Sequence, residues 1–481
     1  MISFFVCLAL LIVGYLVYGK ITEKVFGPDD RQTPCVAHPD GVDFIPIKPW
    51  RAFLIQLLNI AGLGPIFGAL SGAIWGPSVF LWIVFGSIFA GAVHDFLSGM
   101  LSIRNNGASI SEIVGIYLGP VMKTVMRIFS VVLLVMVGVV FMVGPAGLLA
   151  LLTPDILDVK FWTIIVLIYY FLATLLPIDK LIGRLYPFFG ICLIIMAVGI
   201  GGATLLNQGA RPMMEISLAN LHPDAKPIWP LMFITVACGA ISGFHATQSP
   251  MIARCMTSER QGRKIFYGAM IAEGVIALIW AAAGCAFYEK TGGLMTGLLA
   301  AKGGNSSTVY EMSMSLLGPV GGVLAMIGVI ACPITSGDTA FRSARLTIAD
   351  WFKIDQKDVK KRLALSIPLL AIGYLISFVD YQVIWRYFSW SNQALAMIAL
   401  WAGATYLAKF NKNPLSSLMA AIPATFMSAV SVTYILMADE GFKLSTTISY
   451  PIGIVAAILF AALFVGKALI PSLKKSKSEA V

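Results

Sequence analysis

A few polar side chains stand inside long apolar runs of this 481-residue sequence, and their types define the chemistry open to it. His94-Asp95 occupies the second half of a run that ends near Arg104. Histidine titrates near neutrality, and an ionisable pair inside a span is by default a candidate proton relay. In the plainer reading the pair anchors a helix at the membrane interface beside Arg254 or Arg345. Thr335, Ser336 and Asp338 follow Pro333, with Arg342 and Arg345 close behind. Hydroxyl and carboxylate oxygens suit a hard cation, and a proton on Asp338 could replace the ion. Their plainer role is to cap a helix that ends at Pro333. H+ and Na+ stand as equal candidates for the coupling ion.

The backbone around a second set of residues is as informative as the side chains. Asn59, Gly62, Gly64 and Pro65 interrupt an apolar stretch, and Gly76-Pro77 ends it. About five spans later Gly239, Ser242 and Gly243 open another, with His245, Thr247 and Gln248 just beyond. Unsatisfied backbone groups cost several kcal/mol each in hydrocarbon, so such breaks survive where they line a cavity inside protein. Transporters bind substrate at such places. The half-helix after Gly64-Pro65 offers free N–H groups and a positive dipole end, a seat for a carboxylate. Asn59 could donate to the same anion, and Asn392 in Ser391-Asn392-Gln393 is costly enough to bury that it faces the bundle interior or joins helices. Close packing or kinking is the competing use of the glycines and prolines.

A third group lies in a polar loop. Between Asp29 and Asp43, Cys35 and His38 make half of a zinc site that Asp30 or Asp40 could complete. More often such a loop is solvated and shaped by Pro and Asx turns. No other cofactor is indicated, and no spacing of the seven cysteines suggests a disulfide framework.

The elements that must position these residues are membrane helices. Apolar residues make up 58% of the chain and charged residues 12%, with a mean hydropathy of +0.86. Soluble domains carry about twice that charged fraction. Apolar runs of near-spanning length fall near 2–18, 53–71, 78–100, 124–152, 161–177, 188–206, 228–244, 265–288, 319–337, 363–380, 384–407, 416–437 and 448–466. The reading is an all-α polytopic membrane protein of about 13 spans. Alternate loops place 27 of the 34 Lys/Arg on one face, and 7 on the other. The positive-inside rule then puts the N-terminus outside and the basic tail in the cytoplasm. The net charge of +10 is thus an orientation signal, and no nucleic-acid partner is expected. No H-E-x-x-H or G-x-x-x-x-G-K-[ST] motif occurs, which argues against an intramembrane enzyme and against ATP-driven transport.

Several strings resemble the carbon starvation protein A family: DGVDFIP (40–46), NIAGLGPIFGA (59–69), the stretch 76–113 with its VHDF, ISGFHATQSPM (241–251), SGDTAFRSARLTIAD (336–350) and WRYFSWSNQALA (385–396). The chain is similar to the family's short form. The resemblance implies the amino acid–polyamine–organocation superfamily, a LeuT-like 5+5 inverted repeat, and inner-membrane uptake of a small nutrient such as pyruvate, an amino acid or a short peptide. On that plan residues 1–52 hold the first span and a cytoplasmic loop, 53–206 the first repeat, 228–407 the second, and 408–481 two peripheral helices and the tail. Spans two and seven, the broken ones, open the two repeats and run in opposite directions, as an inverted repeat requires. In LeuT-like transporters the ninth span of this numbering supplies hydroxyls to sodium. The expected function is ion-gradient-driven import by alternating access. The alternative is a membrane nutrient sensor whose output partner binds the 338–362 loop.

Overall fold

A computed structural model describes residues 1–40, 44–175, 178–288, 291–299, 304–356 and 358–478. Side chains at 175–187 lie outside the description, as do the basic residues Lys290, Lys302 and Lys357 and the loop residues 41–43. The described chain is helical, and no strand occurs among the described residues.

In chain order the main helices are α1 (Ile2–Phe26), the bent pair α2 (Pro49–Ala61) and α3 (Gly64–Trp75), and α4 (Val79–Arg104). Then come α5 (Ile110–Leu118), α6 (Pro120–Leu152), α7 (Val159–Leu175) and α8 (Ile178–Leu206). A second interrupted segment is formed by α9 (Leu231–Thr235) and α10 (Gly243–Ala253). It is followed by α11 (Glu259–Phe287), α12 (Gly304–Phe352), α13 (Val359–Ile376), α14 (Tyr381–Phe410), α15 (Pro414–Met437) and α16 (Thr446–Ser476). Among the described residues eight helices are long and apolar enough to cross a membrane, or nine with the α2–α3 pair, which bends by 53°. This is a multi-pass membrane protein.

Both sequence-predicted interruptions are present. Gly62 takes φ +38° between α2 and α3, in the region that disfavours side chains. Ser242 is extended, and the chain re-enters a helix at Gly243. Elsewhere several loops expected from the sequence prove helical. The stretch 338–362 is mostly the inner continuation of α12, and among the described residues only 353–356 and 358 lie outside helix before α13. Pro333 does not end α12: Thr335 Oγ1 donates to the Ala331 and Cys332 carbonyls, and Ser336 Oγ also donates to Cys332. Hydroxyls of this kind make proline tolerable within membrane helices. Arg342 and Arg345, expected beyond the span, are 4% exposed, and Arg342 Nη2 donates to the Ala173 carbonyl at 2.9 Å. Likewise 289–318 holds a helix over Thr291–Leu298 and the start of α12, which turns sharply at Gly318 (φ +70°).

The helix ends gather into two faces. On one, Arg104 binds buried Glu259, Arg260 binds Asp30, and Arg263 binds Glu23. On the other, the N-terminal ammonium meets Glu215, Arg386 meets Glu440, and the Trp75 ring packs on His222 at 4.7 Å. The ammonium holds the Glu215 carboxyl down at about 2. Between the faces, α6 packs against α12, α8 against both α12 and α2, and α10 against α4.

Candidate functional site

The two interruptions nest on one another in the interior. A Cβ added at Gly64 would sit 2.2 Å from Cys238 Cβ, and one at Gly68 would sit 2.5 Å from the Val236 carbonyl. One at Gly62 would strike the Phe141 ring at 2.3 Å. The glycines of the first break are therefore contact residues, and the α3 N-terminus predicted as a carboxylate seat is covered by Phe141 and Cys238. Asn59, one turn before the break, is 1% exposed, and neither amide atom has a hydrogen-bond partner among the described residues.

The second break carries more polar structure. Asn392 of α14 caps α10 from outside: its Oδ1 accepts from the Phe244 N–H at 2.7 Å and from Ser242 Oγ at 3.1 Å. Gln393 Nε2 donates to the Ile241 carbonyl at 2.9 Å, and Ser87 Oγ to the Gly239 carbonyl at 3.2 Å. Backbone groups freed by the break thus find side-chain partners, as a buried interruption demands. Gly243 allows this approach, since a Cβ there would lie 2.4 Å from the Asn392 carbonyl oxygen. Gln248 Nε2 reaches Thr247 Oγ1 at 3.0 Å and Ser343 Oγ at 3.4 Å.

His245, on the first turn of α10, joins the broken helix to two carboxylates. Its Nδ1 lies 2.9 Å from Asp95 Oδ2, and its Nε2 lies 3.3 Å from Glu273 Oε2. Asp95 Oδ1 lies 2.8 Å from His94 Nδ1. The chain His94–Asp95–His245–Glu273 is buried throughout. Its proton inventory is constrained. A carboxylate at Asp95 accepts an N–H from each histidine, which leaves His245 Nε2 facing Glu273. That last contact is a close approach and not a hydrogen bond: neither His245 Nε2 nor either Glu273 carboxyl oxygen has a hydrogen-bond partner among the described residues. Buried, neighbouring ionisable groups of this kind have the chemistry that proton uptake and release require.

Asp95 and His245 were both singled out from the sequence but for different roles, coupling and substrate binding; the structure puts them in one array. Asp95 pairs with neither Arg254 nor Arg345 in the contacts that hold it. Arg254 Nε instead donates to the Gly107 carbonyl. Glu273 was missed. Its signal was available: it is the one acid in the apolar run 265–288, and a lone acid in a span is a site hypothesis by default.

The predicted cation oxygens are partly assembled. Ser336 Oγ donates to the Leu58 carbonyl on the last turn of α2 at 2.9 Å. Thr335 donates within its own helix, and Asp338 lies 4.0 Å from Arg342. In the 29–40 part of the loop, Cys35 Sγ donates to the Met256 carbonyl, His38 is exposed, Arg260 holds Asp30, and Asp40 accepts from the Phe44 N–H. Those metal-type donors do not converge among the described residues. The group that does is Cys238, His245 and Glu273, with donor atoms within 4.8 Å of one another. The Cys238 thiol there already contacts Ser242 Oγ and Asn392 Nδ2, both at 3.3 Å.

Unequal cavities flank the breaks. Toward the face of Glu215, one of about 360 Å³ is lined by Trp75, His222, Asn305, Gln382, Trp385 and Ser389, among others. Toward the opposite face, one of about 30 Å³ is lined by Ser130, Thr247, Arg254, Ser343, Thr347 and Asp350, among others. In the interior the Phe141 ring packs against Phe244 and Phe388, with ring centroids 6.0 and 6.2 Å away.

The sequence matches the model of the family described as carbon starvation protein CstA over residues 1–154 and 155–312. The chain belongs to the CstA family. It is 44% identical to a Haemophilus influenzae membrane protein over 342 residues, 60% of this chain and 92% of that one. It is 26% identical to the peptide transporter CstA of Bacillus subtilis, covering 89% of this chain and 88% of the relative. It is 27% identical to the pyruvate/proton symporter BtsT of Escherichia coli, over 56% of this chain and 46% of the symporter. The fold is similar to that of a manganese transporter from Eremococcus coleocola, with a TM-score of 0.57 and 12% identity over 92% of this chain and 99% of that one. As a CstA family member built on a transporter fold, the chain is a membrane transporter.

Proposed function

We propose that this CstA family member is a proton-coupled secondary transporter that imports a small carboxylate nutrient, pyruvate or a short peptide, across the inner membrane. The buried His94–Asp95–His245–Glu273 array carries this reading, because it attaches ionisable groups to the broken helix itself. The names of the relatives, peptide transporter and pyruvate/proton symporter, support both parts. Thirteen spans follow if α7, α13, α14 and the α9–α10 pair are counted with the nine apolar ones. Spans two to six and seven to eleven then form the 5+5 inverted repeat, with α1, α15 and α16 peripheral. In that frame Asp95 and Glu273 are equivalent, each on the second helix of its repeat. The basic face is cytoplasmic and the N-terminus is outside.

The cycle follows from the packing. Substrate enters by the larger cavity and displaces the aromatic contacts around Phe141, which frees the α3 N-terminus and Asn59 for its carboxylate. Protonation of the His245–Glu273 contact changes the charge held at the α10 N-terminus and biases the two halves of the second broken helix. Opening toward the 30 Å³ cleft then releases substrate past Thr247 and Arg254. The sodium reading of Ser336 is weaker, since the Ser336 hydroxyl is engaged with the Leu58 carbonyl and Asp338 lies 4.0 Å from Arg342. The sensor reading loses its output loop, because most of 338–362 is built into α12.

The test is uptake of labelled pyruvate and of a labelled dipeptide into proteoliposomes holding the purified chain. Accumulation of either under an inward proton gradient, abolished by a protonophore and indifferent to sodium, is the expected outcome. Sodium-driven accumulation would replace the proton array by the Ser336 region. No accumulation of either by folded protein would sink the carboxylate-import reading.

A further inference from the structure

A further cavity lies away from both breaks, where α5, α14 and α16 meet. It encloses about 720 Å³ and is walled by Tyr117, Met122, Met397, Trp401, Phe460 and Phe464, among others. Its wall is well fixed: Trp401 Nε1 donates to Ser428 Oγ at 3.1 Å, and the Trp401 and Phe464 rings lie 5.5 Å apart. Two cations also line it, Lys409 and Lys467. Both are exposed, and neither forms an ion pair among the described residues.

The geometry fits one leaflet of a bilayer. Along α14 the lining runs from Met397 to Lys409. The twelve steps between them span about 18 Å at a rise of about 1.5 Å per residue. Half of a hydrocarbon core is about 15 Å thick. With Lys409 at headgroup height, Met397 therefore sits near the midplane. Lys467 approaches the same end on α16, just before the basic tail. This end belongs to the face that carries most of the Lys and Arg.

We propose that this groove is a binding site for one anionic phospholipid. An acyl chain lies along Met397, Trp401 and Phe460, and the phosphate is held between Lys409 and Lys467. A zwitterionic lipid would bring its own ammonium toward the two lysines and gain less. Each lysine near an anionic headgroup is worth about 1 kcal/mol, so the pair predicts a preference of roughly tenfold to thirtyfold.

Native mass spectrometry of the purified full chain, exposed to equal amounts of phosphatidylglycerol and phosphatidylcholine with matched chains, reads that preference directly. The wild type should retain phosphatidylglycerol, and Lys409→Gln/Lys467→Gln should lower its preference about tenfold. The control Lys20→Gln/Lys24→Gln removes the same charge from the same face but away from the groove, and should leave the preference intact. Equal binding of both lipids by the wild type, an unchanged preference in the groove variant, or an equal loss in the control would each overturn the site.

Discussion

The two broken helices solve the same backbone problem with different materials. Around Gly62 and Gly64 the first break is met by carbon and sulfur, the Phe141 ring and Cys238. Around Gly239–Gly243 the second is met by oxygen and nitrogen: Ser87, Asn392 and Gln393 satisfy its backbone, and His245 ties it to two acids. The first break is held mainly by shape, with Ser336 Oγ on the Leu58 carbonyl just before it, and the second mainly by hydrogen bonds and charge. A shape-held break can move only by repacking, whereas a charge-held one answers to a proton. Under the proposed proton coupling, the second is the place where a gradient would act, and the first is the surface that the change would work against.

That contrast is most easily broken at Gly64. Gly64→Val would drive a side chain into Cys238, whose Cβ lies 2.2 Å from the required position. Overpacking of this kind costs about 3 kcal/mol or more where backbone cannot yield. The expected result is loss of monodisperse protein in size-exclusion chromatography, with partial recovery when Cys238→Gly is added. A well-folded Gly64→Val protein would mean the first break is as pliable as the second.

Glu273→Gln probes the charge-held side. It keeps the shape but removes the carboxylate that faces His245 Nε2 at 3.3 Å. Coupling free energies of about 1–3 kcal/mol correspond to roughly 5- to 150-fold effects, so proton-driven accumulation should fall by that range. Counterflow without a gradient should persist, and Asp95→Asn should do the same from the other side of His245. Full accumulation by both variants would remove the array from the mechanism.

Asn392→Ala is expected to have the smallest effect. It takes away the outside cap of α10, a change worth about 1–2 kcal/mol in other helices. Thermal stability should fall by a few degrees, with the α10 amides exchanging faster in hydrogen-exchange mass spectrometry. If the loss is spread evenly over the bundle, Asn392 is a general packing residue and the second break is held by other means.

Legibility followed the same division. Both breaks, the His94-Asp95 pair, His245 and Asn392 were readable, because glycine, proline and polar side chains are expensive in an apolar run wherever they occur. The limits of α12 were misread. Pro333, Asp338, Arg342 and Arg345 look like the end of a span, and only the neighbouring helices make their burial affordable: Ala173 accepts from Arg342, and Leu58 accepts from Ser336. Glu273 was equally visible as a lone acid, yet nothing in its neighbourhood named His245 as its partner, 28 residues away in the sequence.

The sequence by itself determined a helical membrane protein, the positions of its two interruptions, the asymmetric distribution of its basic residues and its family. These are local or additive properties, set by the transfer cost of each residue and the conformations that glycine and proline permit. Only the tertiary structure decided which polar residues meet. Asp95, His245 and Glu273 come from three separate helices, and their contacts depend on α10 resuming its helix at Gly243 against Asn392. That geometry is a property of packing between distant segments, which no local pattern encodes.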